Sequence, residues 1–109
     1  MQQPSYLVLF VADPADDSHA AALRELACGL KGAGFFDDPE LGGERTTGTF
    51  MRTETLENPA ALELIARVAE LSGALELRIE VQHREVILGH LECGRPDASL
   101  AAALGAVGP

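Results

Sequence analysis

The chain has 109 residues, 47% of them apolar, a length and composition that suit one domain built on a single core. Its 17 acidic and 8 basic side chains leave a formal charge of -9, with Lys31 the only lysine. So few cations cannot neutralise a phosphate backbone, which argues against nucleic acid and against an anionic membrane surface as partners.

The first predicted element, Ser5 to Ala12 (SYLVLFVA), is a nearly unbroken apolar run. That is the pattern of a strand covered on both faces, central and parallel. The run is far too short to span a bilayer and no basic residue precedes it, so neither a signal peptide nor an anchor is expected. Asp13, Pro14, Asp16, Asp17 and Ser18 then supply turn and N-cap chemistry for a helix reaching about Ala33, with Leu23, Leu26, Ala27 and Leu30 on its apolar stripe. Gly32 and Gly34 end it. Residues 35 to 45, with Asp-Pro, Gly-Gly and the acids Asp37, Asp38, Glu40 and Glu44, have the composition of a surface loop.

Residues 46 to 55 (TTGTFMRTET) have strand propensity, with Gly48 marking a bulge or a frayed end. Asn58-Pro59 is an N-cap and first-turn pair and Gly73 a matching stop, which predicts a helix over 59–72. Residues 74 to 91 read as a β-hairpin: Leu75, Leu77, Ile79 and Val81 alternate with Glu76, Arg78, Glu80 and Gln82. A connection around His83 and Arg84 sets Val81 against Val86 and Ile79 against Leu88, and places His90 across from Leu77. A turn over 94–97 and a short helix over 99–107 close the chain.

The expected fold is α/β, with α+β as the alternative: a single domain over residues 1–109, ordered βαβαββ. Its mixed four-stranded sheet has a C-terminal hairpin packed against two helices, and the first three strands are parallel. The layering stays open, because the first strand asks for cover on both faces while the polar face of the hairpin asks for none.

Parallel strands would bring their C-terminal ends to one edge, where α/β sheets tend to bind ligands. The candidate ligand edge is therefore Asp13, Asp16, Asp17 and His19 from the first connection, with His83 and Arg84 from the hairpin turn and Glu57 nearby. Carboxylates with imidazole suit a divalent ion or acid–base chemistry. The competing reading, caps and ordinary turn residues, is the stronger. His90 and Cys93 have an odd separation that puts them on opposite faces of a strand, and no second pair completes a tetrahedral site, so no metal and no cofactor is expected. Cys28 has no base assigned by the sequence, and the glycines at 29, 32 and 34 follow a helix, whereas a phosphate loop precedes one. No catalytic residue is assigned.

The two cysteines do not make a disulfide framework, so the expected compartment is a reducing cytoplasm. Rich Ala, Leu, Gly and Arg usage reads as a GC-rich bacterial genome. The functional expectation is a small acidic, non-enzymatic protein-interaction domain, such as an immunity or antitoxin-like inhibitor or an accessory adaptor. A basic protein partner suits its charge, with Asp37, Asp38, Glu40 and Glu44 as contact residues. An exposed edge strand also offers a second copy a place to pair, which makes a homodimer a further expectation. The alternative is a small enzyme or metabolite-binding regulatory domain using the sheet edge.

Overall fold

Three helices and six strands account for most of residues 5–12, 16–38 and 46–105, which the computed structural model describes. Strand β1 (Tyr6–Val11) leads into α1 (Asp17–Cys28), then β2 (Ala33–Asp38) and β3 (Thr46–Arg52). Helix α2 (Pro59–Leu75) precedes β4 (Arg78–His83), β5 (Val86–Glu92), the two-residue β6 (Arg95–Pro96) and α3 (Ala98–Gly105). The sheet is antiparallel throughout, in the order β2-β3-β1-β4-β5-β6.

The mixed α/β character and the two main helices agree with the sequence reading, whereas the strand count and the directions do not, and helices on one face of an antiparallel sheet are the α+β alternative. Phe35 and Phe36 lie on a strand, β2, inside the stretch expected to be a loop. Its exposed Asp37 and Asp38 lend it the composition of one. The extra strand pairs with β3 as a hairpin and reverses the chain once more, so β3 runs antiparallel to β1. Each helix still joins parallel strands, but the other unit's strand lies between them: β3 separates β1 from β2, and β1 separates β3 from β4. This interleaved pair of split βαβ units is the ferredoxin-like arrangement, extended here by β5, β6 and α3.

Other boundaries shift for local reasons. Helix α1 stops at Cys28 with Gly29 as its C-cap, and Gly32 (φ +87°) turns the chain into β2. Helix α2 continues past Gly73 to Leu75, and Glu76, in the left-handed conformation, ends it. A Cβ at Gly73 would make only ordinary contact, 3.5 Å from the Cys93 carbonyl oxygen, and the helix passes through this residue. Leu75, expected on a strand, closes the helix. The clasp here is Ser72, fully buried: its Oγ donates to the Leu77 carbonyl (2.6 Å) and accepts from the Gly94 N–H (3.0 Å).

The β4–β5 turn is tighter than expected. His83 pairs with Val86 across a two-residue turn at Arg84 and Glu85, and a β-bulge then shifts Val81 onto Gly89 and Glu80 onto His90. Both turn residues are left-handed (φ 55° and 66°), the geometry of a type I′ hairpin usually made by Asn and Gly.

The helices lie on one side of the sheet. Leu7, Leu9 and Val11 of β1, Met51 of β3, and Ile79 and Val81 of β4 pack with Leu23, Leu64, Val68 and Leu100 in one core. On the other side, no element among the described residues covers the sheet, so the fold has two layers.

Candidate functional site

The uncovered face follows from strand alternation. Tyr6, Val8 and Phe10 point away from the core side of β1, and register places Phe50 beside Val8, Gly48 beside Phe10, and Gln82 and Glu80 across β4. On β2, Gly34 and Phe36 belong to the same face, as partners of Phe50 and Gly48. Strand β1 therefore has apolar residues on both faces, as its sequence implies, but only one face is covered.

Three aromatic rings gather there. Tyr6 meets Phe50 edge-on (centroids 5.9 Å, planes at 73°), and Phe36 stands 6.4 Å from Phe50 at 43°. Tyr6, Val8, Phe36 and Phe50 line a concavity of about 430 Å³ whose rim is Gln82, Arg84 and Glu85. The strained turn holds its two charged side chains at this rim, a placement typical of functional segments. Ile87, paired with Gln82 and 57% exposed, adds an apolar side chain beside it.

A polar chain continues along the face. Gln82 Nε2 donates to Glu80 Oε2 (2.5 Å), whose other oxygen lies 3.3 Å from His90 Nε2. His90 Nδ1 is 3.5 Å from Asp97 Oδ2, which also accepts from the His90 N–H (3.1 Å). The bulge in β5 puts His90 on this face, opposite Glu80 rather than Leu77, because the extra residue changes the strand's phase. Asp97 is also the N-cap of α3, where its Oδ1 accepts from the Leu100 N–H (2.9 Å). That bond, followed by those from His90, holds its carboxyl below the ordinary range against the opposing effect of burial.

The expected ligand edge is not assembled. Because β4 runs antiparallel to β1, with His83 opposite Leu7 and Ile79 opposite Val11, His83 and Arg84 lie at the end of the sheet away from α1's start. Asp16 caps α1: its Oδ1 accepts from Ser18 Oγ (2.6 Å) and the His19 N–H (3.0 Å), while His19 Nδ1 accepts from the Asp16 N–H (3.3 Å). The Ser18 bond, then the His19 N–H, lower the Asp16 carboxyl's pKa. Asp17 is exposed in the first turn, and Asp13 lies outside the described residues. A His83 ring nitrogen stands 3.0 Å from the Thr53 carbonyl oxygen, at the end of the sheet where exposed Glu57 follows β3. Among the described members of this set, only Arg84 reaches the concavity.

Asp37 and Asp38 end β2, both exposed, and Glu40 and Glu44 lie outside the described residues. Among the described residues no group of three or more His, Cys, Asp or Glu is arranged to hold a metal ion. Cys28 and Cys93 are unpaired and exposed, and no described helix is long and apolar enough to cross a membrane.

Tyr6, Phe36, Phe50 and Gln82 are not among the candidates that the sequence offers. The signal for them is the unbroken apolar β1, whose second face needs cover that the helices do not supply. The chain matches no protein-family model, and no curated protein or solved structure is significantly similar to it.

Proposed function

We propose that this chain is a non-enzymatic protein-interaction domain, of the inhibitor or adaptor class, that docks through the uncovered face of its sheet. The observation that carries this reading is the cluster of Tyr6, Phe36 and Phe50 around a concavity with Arg84 at its rim. Aromatic side chains and arginine are the residues that dominate binding energy at protein interfaces. A contiguous apolar patch on a folded surface marks a contact site more often than a defect. The ferredoxin-like arrangement carries many unrelated functions, so the site and not the fold supports this reading.

The charge distribution points the same way. Helix α2 and its flanks carry Glu57, Glu63, Glu70 and Glu76 against Arg67, whereas the open face mixes both signs. The helical side repels other acidic surfaces, leaving the open face as the contact surface. Where the partner is a different chain, a basic one would also meet Asp37 and Asp38 at the end of β2. A reducing cytoplasm suits two exposed, unpaired cysteines.

The test is affinity capture from the source cells with the wild type, Phe50→Glu, and Leu62→Ser on the exposed part of α2. One protein, this chain or another, retained by the wild type and Leu62→Ser but lost with Phe50→Glu is the expected result. Equal retention by Phe50→Glu would remove the open face from the reading.

The concavity supports a second reading, a metabolite-binding regulatory domain. Its volume of about 430 Å³ falls within the range of small-molecule pockets, and Gln82 and Arg84 give it polar groups beside the rings. A thermal-shift screen of planar aromatic carboxylates separates the two: stabilisation abolished by Arg84→Ala favours the metabolite.

A further inference from the structure

Resting on the interaction reading, we infer that the occupant of the open face is a second copy of this chain, related by a two-fold axis with sheet packed against sheet. Two acidic chains of charge -9 repel one another in general. On the open face and its rim, however, Arg52, Arg78, Arg84 and Arg95 nearly balance Asp38, Glu80, Glu85, Glu92 and Asp97, and Arg78 and Glu92 already pair at 3.3 Å. That face therefore opposes a second copy less than the acidic α2 side does, and it draws a basic partner only weakly.

The face is also its own complement. A two-fold interface sets one patch against the same patch, so it needs knob and hole, and both signs of charge, within a single surface. Ile87 and the Arg84–Glu85 turn stand beside the concavity lined by Tyr6, Val8, Phe36 and Phe50, which provides both. Pairing through sheet edges is less suited: β6 has two residues, one of them Pro96, and β2 ends in two acids.

The area suits a weak, reversible dimer. The five strands β2, β3, β1, β4 and β5, about 4.8 Å apart and about six residues long, span roughly 24 by 20 Å. That is roughly 480 Å² per copy and about 960 Å² for the pair, near the floor of about 1,000 Å² for a specific interface and below the roughly 1,200–2,000 Å² of stable ones. Packing of this kind supplies the cover that the apolar outer residues of β1 lack, and forms a dry layer between two sheets.

Sedimentation equilibrium of the full chain tests the inference, with circular dichroism to verify folding of each variant. The wild type should reach twice the protomer mass of 11.5 kDa. Phe50→Glu and, independently, Tyr6→Arg should remain folded and raise the dimer dissociation constant by at least about thirtyfold. Leu62→Ser should leave it unchanged. A wild type that is monomeric at several hundred micromolar overturns the second copy, and so does a dimer that survives both open-face substitutions. If that monomer retains a different protein through Phe50, the interaction reading stands while the homodimer fails. If it retains none, both fall.

Discussion

The ring of Phe50 occupies the space that a side chain on Gly34 would take: a Cβ at residue 34 would fall 2.3 Å from its Cζ. The glycine of the edge strand and the aromatic of its neighbour are thus a matched pair that sets the ring against Tyr6 and Phe36. Gly34→Ala must push the ring aside, and a half-buried ring can swing. The expected cost in urea denaturation of the monomer is within about 1 kcal/mol, with a clear loss of self-association. Gly48→Ala is the contrast, because its Cβ would meet backbone, 2.3 Å from the Leu9 carbonyl oxygen and 2.6 Å from the Phe10 Cα. It should cost about 2–3 kcal/mol. Equal effects of the two substitutions would contradict this.

Adjacent residues of β1 should behave oppositely. Leu9 is fully buried on the helix side, and Leu9→Ala should destabilise by about 3 kcal/mol through lost burial and a residual cavity. Val8 lies on the open face, so Val8→Ser should change monomer stability by less than about 1 kcal/mol while weakening association. Urea melts of both variants at low protein concentration separate the two effects.

Ser72→Ala removes a fully buried hydroxyl that joins the end of α2, the start of β4 and the β5–β6 turn. The Leu77 carbonyl loses this donor and the Gly94 N–H its acceptor, for a loss of about 1–3 kcal/mol. Faster amide exchange at Gly94 should accompany it. A variant as stable as the wild type would show that water replaces the hydroxyl.

The pH dependence of α3 docking should follow Asp97. Its carboxyl is held below the ordinary aspartate value of 3.8, first by the Leu100 N–H and then by His90, so the folded state binds this proton less readily than the unfolded chain. The stabilisation is therefore complete above 3.8 and is lost as pH falls through the lower, folded value. A carboxyl-carbon NMR titration should give an Asp97 midpoint below 3.8, with Leu100 amide protection lost over the same range. A midpoint at or above 3.8 would refute this, and Asp97→Asn should abolish the titration while loosening α3.

Local chemistry makes much of the chain legible from its residues alone. Asn58-Pro59 announces α2, the acids after β1 announce the start of α1, and the alternation from Leu77 to Gln82 announces a strand with one buried face. These signals lie within a few residues of what they specify, as caps and periodicity do. Strand β2 is hidden because it is an edge strand whose last two residues are acidic and exposed, a pattern shared with loops. Missing one strand inverts the directions inferred for its neighbours, and so brings Asp16 and His19 to the same edge as His83 and Arg84 when they stand at opposite ends. The bulge that pairs His90 with Glu80 has no local mark either, since it arises from the fit of β5 against β4 and of Gly89 beneath the start of α3. The apolar β1 does state in sequence that both its faces want cover. That the helices supply only one cover, leaving Tyr6, Val8 and Phe50 together on the other side, is decided by strand order alone: register across three strands is a property of the assembled sheet, which no single segment encodes.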